Sequence, residues 1–155
     1  MSNPIRDIVK KIRQIRKKLD AIIIDAVKEN ENIVIDLNTS QLFQGKESTG
    51  EAITPPYRPM TISIKASKGQ PTNRVTLKDE GDFYRGFFVN YGNDWFALGS
   101  DDEKALKLER KYGADIYGLT QESIDELSEY IKEDVEKFLE EEFMKLVNSG
   151  ATVTV

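Results

Sequence analysis

The chain has neither cysteine nor histidine, and the two absences exclude different chemistry. Without thiols there are no disulfides, no thiolate metal sites and no cysteine nucleophile, which agrees with a reducing compartment. Without imidazole there is no side chain with an ordinary pKa near neutrality, no Ser-His-Asp relay and no histidine-ligated metal. Most hydrolase and metalloenzyme readings fall here, and the expectation is a protein that is not an enzyme and needs no cofactor. Long apolar runs are missing too. No window approaches the ~18 consecutive apolar residues of a membrane span, and the opening MSNPIRDIVKK lacks the uninterrupted apolar stretch of a secretory signal. No membrane partner is expected, and synthesis and retention in the cytoplasm is. Proline is sparse, and apart from Pro4 all of it lies between 55 and 71.

What is present is charge of both signs, separated along the chain. Residues 6–18 hold seven bases (Arg6, Lys10, Lys11, Arg13, Arg16, Lys17, Lys18) and one acid, Asp7, for a local +6 inside a chain of net −5. Residues 122–145 hold ten acids and three lysines, for a local −7. At 155 residues, 39% hydrophobic and 32% charged, the chain is long enough to bury a core. We read residues 1–150 as a single domain and 151–155 as a tail.

Hydrophobic periodicity places long helices at both ends. Ile5, Ile8, Val9, Ile12, Ile15, Leu19, Ile22, Ile23 and Val27 recur at steps of three and four behind Asn3 and Pro4, a suitable N-cap and first helical residue. Ile124, Leu127, Ile131, Val135, Phe138, Leu139, Phe143 and Leu146 repeat the pattern behind Thr120, with Glu122 in the first turn. Between them, residues 33–37 form a β-branched run that reads as a strand, and residues 74–77 read as another. The glycines and prolines of 45–73 predict a long loop, inside which residues 61–64 fit either a strand or a short helix after Pro59. Residues 88–91 and 95–98 read as two strands turning through Gly92, Asn93 and Asp94. Ser100 and Glu103 have the spacing of a capping box, predicting a helix from about 101 to 112 that Gly113 ends. The expected fold is α+β: a small, mostly antiparallel sheet packed against the long N-terminal and C-terminal helices.

Few segments invite a chemical reading. Asp101, Asp102 and Glu103 have the composition of a cation cluster, but capping accounts for all three, and the glycine and distal glutamate of a calcium loop are missing. The order GKESTG at 45–50 departs from a phosphate loop, with Pro55 and Pro56 where a helix should follow. The aromatic set Phe83, Tyr84, Phe87, Phe88, Tyr91, Trp95 and Phe96 has only Arg85 interleaved with it, which favours a core role over stacking on bases. We expect no catalytic, cofactor-binding or metal-binding residues. The basic face of the first helix is the feature with a partner to find. It fits the acidic C-terminal helix of the same or a neighbouring subunit, a nucleic-acid backbone, or solvent alone.

Taken as an ordered series, the middle of the chain resembles the virion-morphogenesis or tail-completion proteins of tailed phages, the small neck and head-tail joining subunits. Their glycine-proline-aromatic loop, with its later threonine and lysine, is matched by residues 50–57 with Thr61 and Lys65. Their L-x-D-T-G turn is matched by Leu77, Lys78, Asp79, Glu80 and Gly81, with Glu80 in place of threonine and, further on, Gly86 in place of serine. Their G-L-x-x-E helix start is matched by Gly118, Leu119 and Glu122. Phe83-Tyr84 and the stop at Lys111, Tyr112 and Gly113 look like variants from phages of Bacteroides-type hosts. The resemblance implies a structural subunit of a homo-oligomeric ring in the virion, made in the host cytoplasm, contacting portal or connector and tail-tube proteins, with no direct nucleic-acid contact. The alternative is a small nucleic-acid-binding protein using the basic helix. In the ring reading the interface candidates are Arg6, Lys10, Lys11, Arg13, Lys17 and Lys18, Tyr57 and Arg58 in the loop, and Val153 and Val155 in the tail. The 45–73 loop and the tail are the segments expected to order against neighbouring subunits.

Overall fold

The computed structural model describes residues 3–149. The fold is α+β, with six α-helices, a two-stranded antiparallel sheet and long helices at both ends. Its elements are α1 (Pro4–Glu29), α2 (Glu31–Phe43), α3 (Pro59–Ser67), α4 (Asp82–Arg85), β1 (Phe87–Tyr91), β2 (Phe96–Ser100), α5 (Ala105–Tyr112), a 3₁₀ turn (Ala114–Ile116) and α6 (Gln121–Asn148). The described residues gather into two compact units. One contains α1, the hairpin tip at 91–95 and α6 from Ser128 onward; the other contains residues 31–90 and 96–127.

The expected strand at 33–37 is instead the start of α2. Asn30 closes α1 by bonding its Nδ2 to the Ala26 carbonyl at 2.8 Å, and the chain re-enters a helix at the next residue. The buried residues of α2 are Val34, Asn38, Gln41 and Leu42, a helical spacing. Buried packing on that face outweighs the β preference of Ile33, Val34 and Ile35. Asn38 and Gln41 use the burial to hold backbone. Asn38 Nδ2 donates to the Ile116 carbonyl at 3.1 Å, and its Oδ1 accepts from Gly118 N at 2.9 Å. Gln41 Nε2 donates to the Gly118 carbonyl at 2.6 Å, and its Oε1 accepts from Thr120 N at 3.1 Å and from Ser123 Oγ at 3.2 Å. Gly118 adopts φ 117°, a backbone conformation open to glycine and strained for other residues. Thr120 then caps α6 as its position predicts, its Oγ1 accepting from Ser123 N at 3.2 Å.

The expected strand at 74–77 is an irregular strap, since its hydrogen bonds go to side chains rather than to a neighbouring strand. Tyr57 Oη accepts from Thr76 N at 2.9 Å, and Tyr84 Oη donates to the Thr76 carbonyl. Burial pushes the Tyr84 phenol well above its ordinary pKa, which keeps it a donor. Lys65, itself buried, donates to the Lys78 carbonyl at 2.9 Å and lies 4.9 Å from the centre of the Tyr57 ring. Of the two readings at 61–64, the helix is the one formed, as part of α3 with Pro59 in its first turn. The rest of 45–73 is folded as well. Ile53 is buried and donates to the Gly45 carbonyl at 2.9 Å, and Ser48 N reaches the Asp115 carbonyl at 2.7 Å. The segment therefore has its own partners in this unit.

Leu42, Ile53, Val75, Leu77, Phe83, Phe87, Ala105, Tyr112 and Ile116 make up the unit's core. The Phe83 and Phe87 rings meet edge-on at 5.2 Å, and Tyr117 lies within 6.1 Å of both. The hairpin is where the sequence places it, closed by Gly92 N to the Trp95 carbonyl at 2.8 Å. The predicted capping box works differently. Ser100 Oγ donates to the Phe83 carbonyl, Asp102 Oδ1 accepts from Lys104 N at 2.8 Å, and α5 starts only at Ala105. Gly86 sits so close to this turn that a Cβ would lie 2.7 Å from Ser100 Oγ and 2.9 Å from Asp102 N.

Replacing Asn38 by alanine leaves the Gly118 N–H and the Ile116 carbonyl without their partner. The expected loss is about 2–3 kcal/mol of unfolding free energy, read as a lower urea midpoint at unchanged slope.

Candidate interaction surface

In the other unit α1 and α6 run antiparallel. Asn3 Oδ1 starts α1 by accepting from Ile5 N at 3.0 Å and Arg6 N at 3.4 Å. Lys11 Nζ reaches Ser149 Oγ at 3.5 Å, and Lys18 Nζ lies 3.6 Å from Glu142 Oε2. Further along, Ile22, Asp25, Ala26 and Glu29 share a groove with Asp134, Lys137, Phe138 and Glu141. The indole of Trp95 lies across Gly92 at the hairpin tip, and Lys28 Nζ sits 5.3 Å from the Tyr91 ring centre.

The helix pair divides the predicted basic site. Lys11 and Lys18, seven residues apart, turn toward α6. Arg6, Lys10, Arg13 and Lys17, at steps of four, three and four, form a separate exposed ridge, and none of the four makes an ion pair among the described residues. Tyr57 is half-buried and spent on Thr76 and Lys65, so its phenol serves its own unit. Arg58 is exposed at the N-cap of α3, where its side chain caps nothing. Val153 and Val155 lie outside the described residues.

Sequence reasoning missed Glu142. It is one of three buried residues on α6 and bonds Lys145 Nζ at 3.0 Å on one side while Lys18 approaches on the other. The lysine bond, with the charges of Lys145 and Lys18, holds its carboxyl below the ordinary value. A signal existed in the sequence, since a lone glutamate stands four residues from both Phe138 and Leu146 on an otherwise apolar stripe. Asn38 and Gln41 were missed because reading 33–37 as a strand leaves the residues after it without the helical face that brings the two amides together.

The apolar stripe of α1 is exposed over its first three turns. Ile5 is 73% and Ile12 54% exposed, with Ile8 and Val9 also in solvent. On α6, Phe143 is 64% exposed, and Leu139, Met144 and Val147 are exposed as well. These residues lie on the same end of the antiparallel pair. Elsewhere the segments with a chemical reading take structural parts. The 45–50 turn spends its N–H groups on the chain itself, with Glu47 N bonding the Glu51 carbonyl and Gly50 N the Glu47 carbonyl. Among the described residues no group of three or more Asp or Glu is placed to hold a metal ion, and no helix is long and apolar enough to cross a membrane.

Compared with known proteins, the chain matches no family model, no curated protein and no solved structure.

Because the Glu142 carboxyl is held below its ordinary value of 4.5, its stabilisation is present above that value and is lost as pH falls through the folded pKa. Glu142→Gln is therefore expected to melt below wild type near neutrality. The gap should close as pH is lowered from about 6 to about 3, followed by thermal melts at each pH.

Proposed function

We propose that this chain is a structural subunit of a phage neck or tail-completion ring and acts by assembling with copies of itself and with adjoining portal and tail proteins. The observation that carries the reading is the exposed apolar surface on the α1–α6 pair, where Ile5, Ile12, Phe143, Met144 and Val147 are each more than half in solvent. Monomeric proteins seldom leave so many large apolar side chains uncovered at one end of a helix pair, and subunits that dock along a helical face require them. The motifs that resemble the phage family add support of another sort. Tyr57 and Lys65 from the first motif close directly on the strap that contains Leu77 and Lys78 from the second. The Gly118 motif is the backbone gripped by α2. Residues far apart in sequence thus serve one packed unit, as expected if the series is inherited together.

The second reading, nucleic-acid binding through Arg6, Lys10, Arg13 and Lys17, draws on the exposure of that ridge. It faces the chain's net charge of −5 and an α6 rich in carboxylates, both of which repel phosphate.

Sedimentation of the purified chain across a concentration series is expected to converge on one discrete oligomer, as a closed ring requires. Ile12→Ser together with Phe143→Ser should abolish that species while leaving monomer stability within about 0.5 kcal/mol, since both side chains are exposed. A chain that stays monomeric at every concentration, or binds duplex DNA with a steep salt slope, contradicts the proposal.

A further inference from the structure

The basic ridge of α1 has a counterpart of opposite charge on α6. Glu129, Glu133, Glu136 and Glu140 are all exposed on α6 and stand at steps of four, three and four, the spacing of Arg6, Lys10, Arg13 and Lys17 on α1. None of these eight residues makes an ion pair among the described residues. At roughly 100° per residue, the α1 bases lie about 120° around the helix from the side that Lys11 and Lys18 turn to α6. By the same measure the four glutamates lie roughly opposite the side that Glu142 and Ser149 turn to α1. Each ridge therefore faces away from the seam, and because Lys11 and Lys18 lie opposite Ser149 and Glu142, the bases of 6–17 stand at a different height from the glutamates of 129–140 and do not meet them within one copy.

We propose that the basic ridge of one copy docks on the acidic ridge of the next, a head-to-tail contact between α1 and the neighbour's α6. The neighbour's α6 runs antiparallel to α1, and because Lys18 lies opposite Glu142 within a copy, pairing Arg6 with Glu140 steps the next copy about 21 Å along the helices, so a ring built this way has its helix pairs inclined to the ring axis. The step pattern reads the same in both directions. The antiparallel register then brings Arg6 to Glu140, Lys10 to Glu136, Arg13 to Glu133 and Lys17 to Glu129 of the adjacent copy. Apolar side chains flank both rows. Ile5 and Val9 line a recess with Arg6, Lys10 and Arg13, while Leu139 and Phe143 adjoin Glu136 and Glu140 along α6. Burial of these apolar groups adds to the adhesion, while the charge rows supply its salt-sensitive part and set direction, register and choice of partner. A head-to-tail contact of this type generates a closed ring when its rotation closes and a filament when it does not. The inference rests on the ring reading above and names the surface that would build it.

Two charge-reversed chains test the contact. One carries Arg6→Glu, Lys10→Glu, Arg13→Glu and Lys17→Glu; the other carries Glu129→Lys, Glu133→Lys, Glu136→Lys and Glu140→Lys. Both keep the like-charge spacing of the native helices, and circular dichroism confirms folding before sedimentation. Wild type should assemble at about 0.05 M salt and lose most of its assembly at about 0.5 M, where the screening length is roughly threefold shorter. Each reversed chain alone should be monomeric, and an equimolar mixture of the two should assemble again. The lack of native cysteine allows a direct register check, in which Arg13→Cys and Glu133→Cys chains, mixed and oxidised, yield the intermolecular disulfide. Reversed chains that assemble like wild type overturn the ridge contact and leave the ring reading standing. So does a mixture that remains monomeric or forms no crosslink. A wild-type chain that is monomeric at low salt and binds duplex DNA assigns the basic ridge to nucleic acid and overturns the contact. Assembly that depends on the ridges but grows into filaments without a fixed size upholds the contact and sinks the ring.

Discussion

The grip of two buried amides on one stretch of backbone determines most of what surrounds it. Asn38 and Gln41, on one face of α2, satisfy donors and acceptors from Ile116 to Thr120, a segment with no strand or helix to satisfy it. Buried backbone must find partners, and here side chains nearly eighty residues away provide them. The grip sets where the 3₁₀ turn ends, fixes Gly118 in its unusual conformation, and delivers Thr120 to its capping position. It also explains why α2 is a helix, since only helical spacing points Val34, Asn38, Gln41 and Leu42 in one direction.

The strap at 74–81 solves the same problem with different groups. Tyr57 accepts from the Thr76 N–H and Tyr84 donates to the Thr76 carbonyl, and the Lys65 ammonium takes the carbonyl two residues on. Gln70 and Lys68 hold Asp79 at the end of the strap, and their bonds keep the Asp79 carboxyl below its ordinary pKa. The segments around Tyr57, Lys65 and Lys78 are thus parts of one hydrogen-bonding scheme. That scheme holds an irregular backbone in place without a neighbouring strand.

On the α1–α6 pair the governing fact is the division of charge by helical face. Lys11, Lys18 and Lys145 serve the seam through Ser149 and Glu142, whereas the bases and glutamates at steps of four, three and four are left to solvent. Local charge density alone does not make this distinction. A run of seven bases reads as a single patch until the seam is located, after which six of them divide into two surfaces.

The sequence by itself determined the elements whose signals are local. Asn3 and Pro4 start α1, Thr120 starts α6, Gly113 stops α5, and Gly92 to Trp95 turns the hairpin, each through groups a few residues apart. The α+β class and the long terminal helices were legible for the same reason. Tertiary structure decided the rest, as 33–37 became helix, 74–77 became a strap and α5 began later than Ser100 and Glu103 suggest. In each of those places the hydrogen-bond partner or the burying surface lies far along the chain. Local propensity, worth only tenths of a kcal/mol per residue, gives way to the larger cost of an unsatisfied buried peptide group.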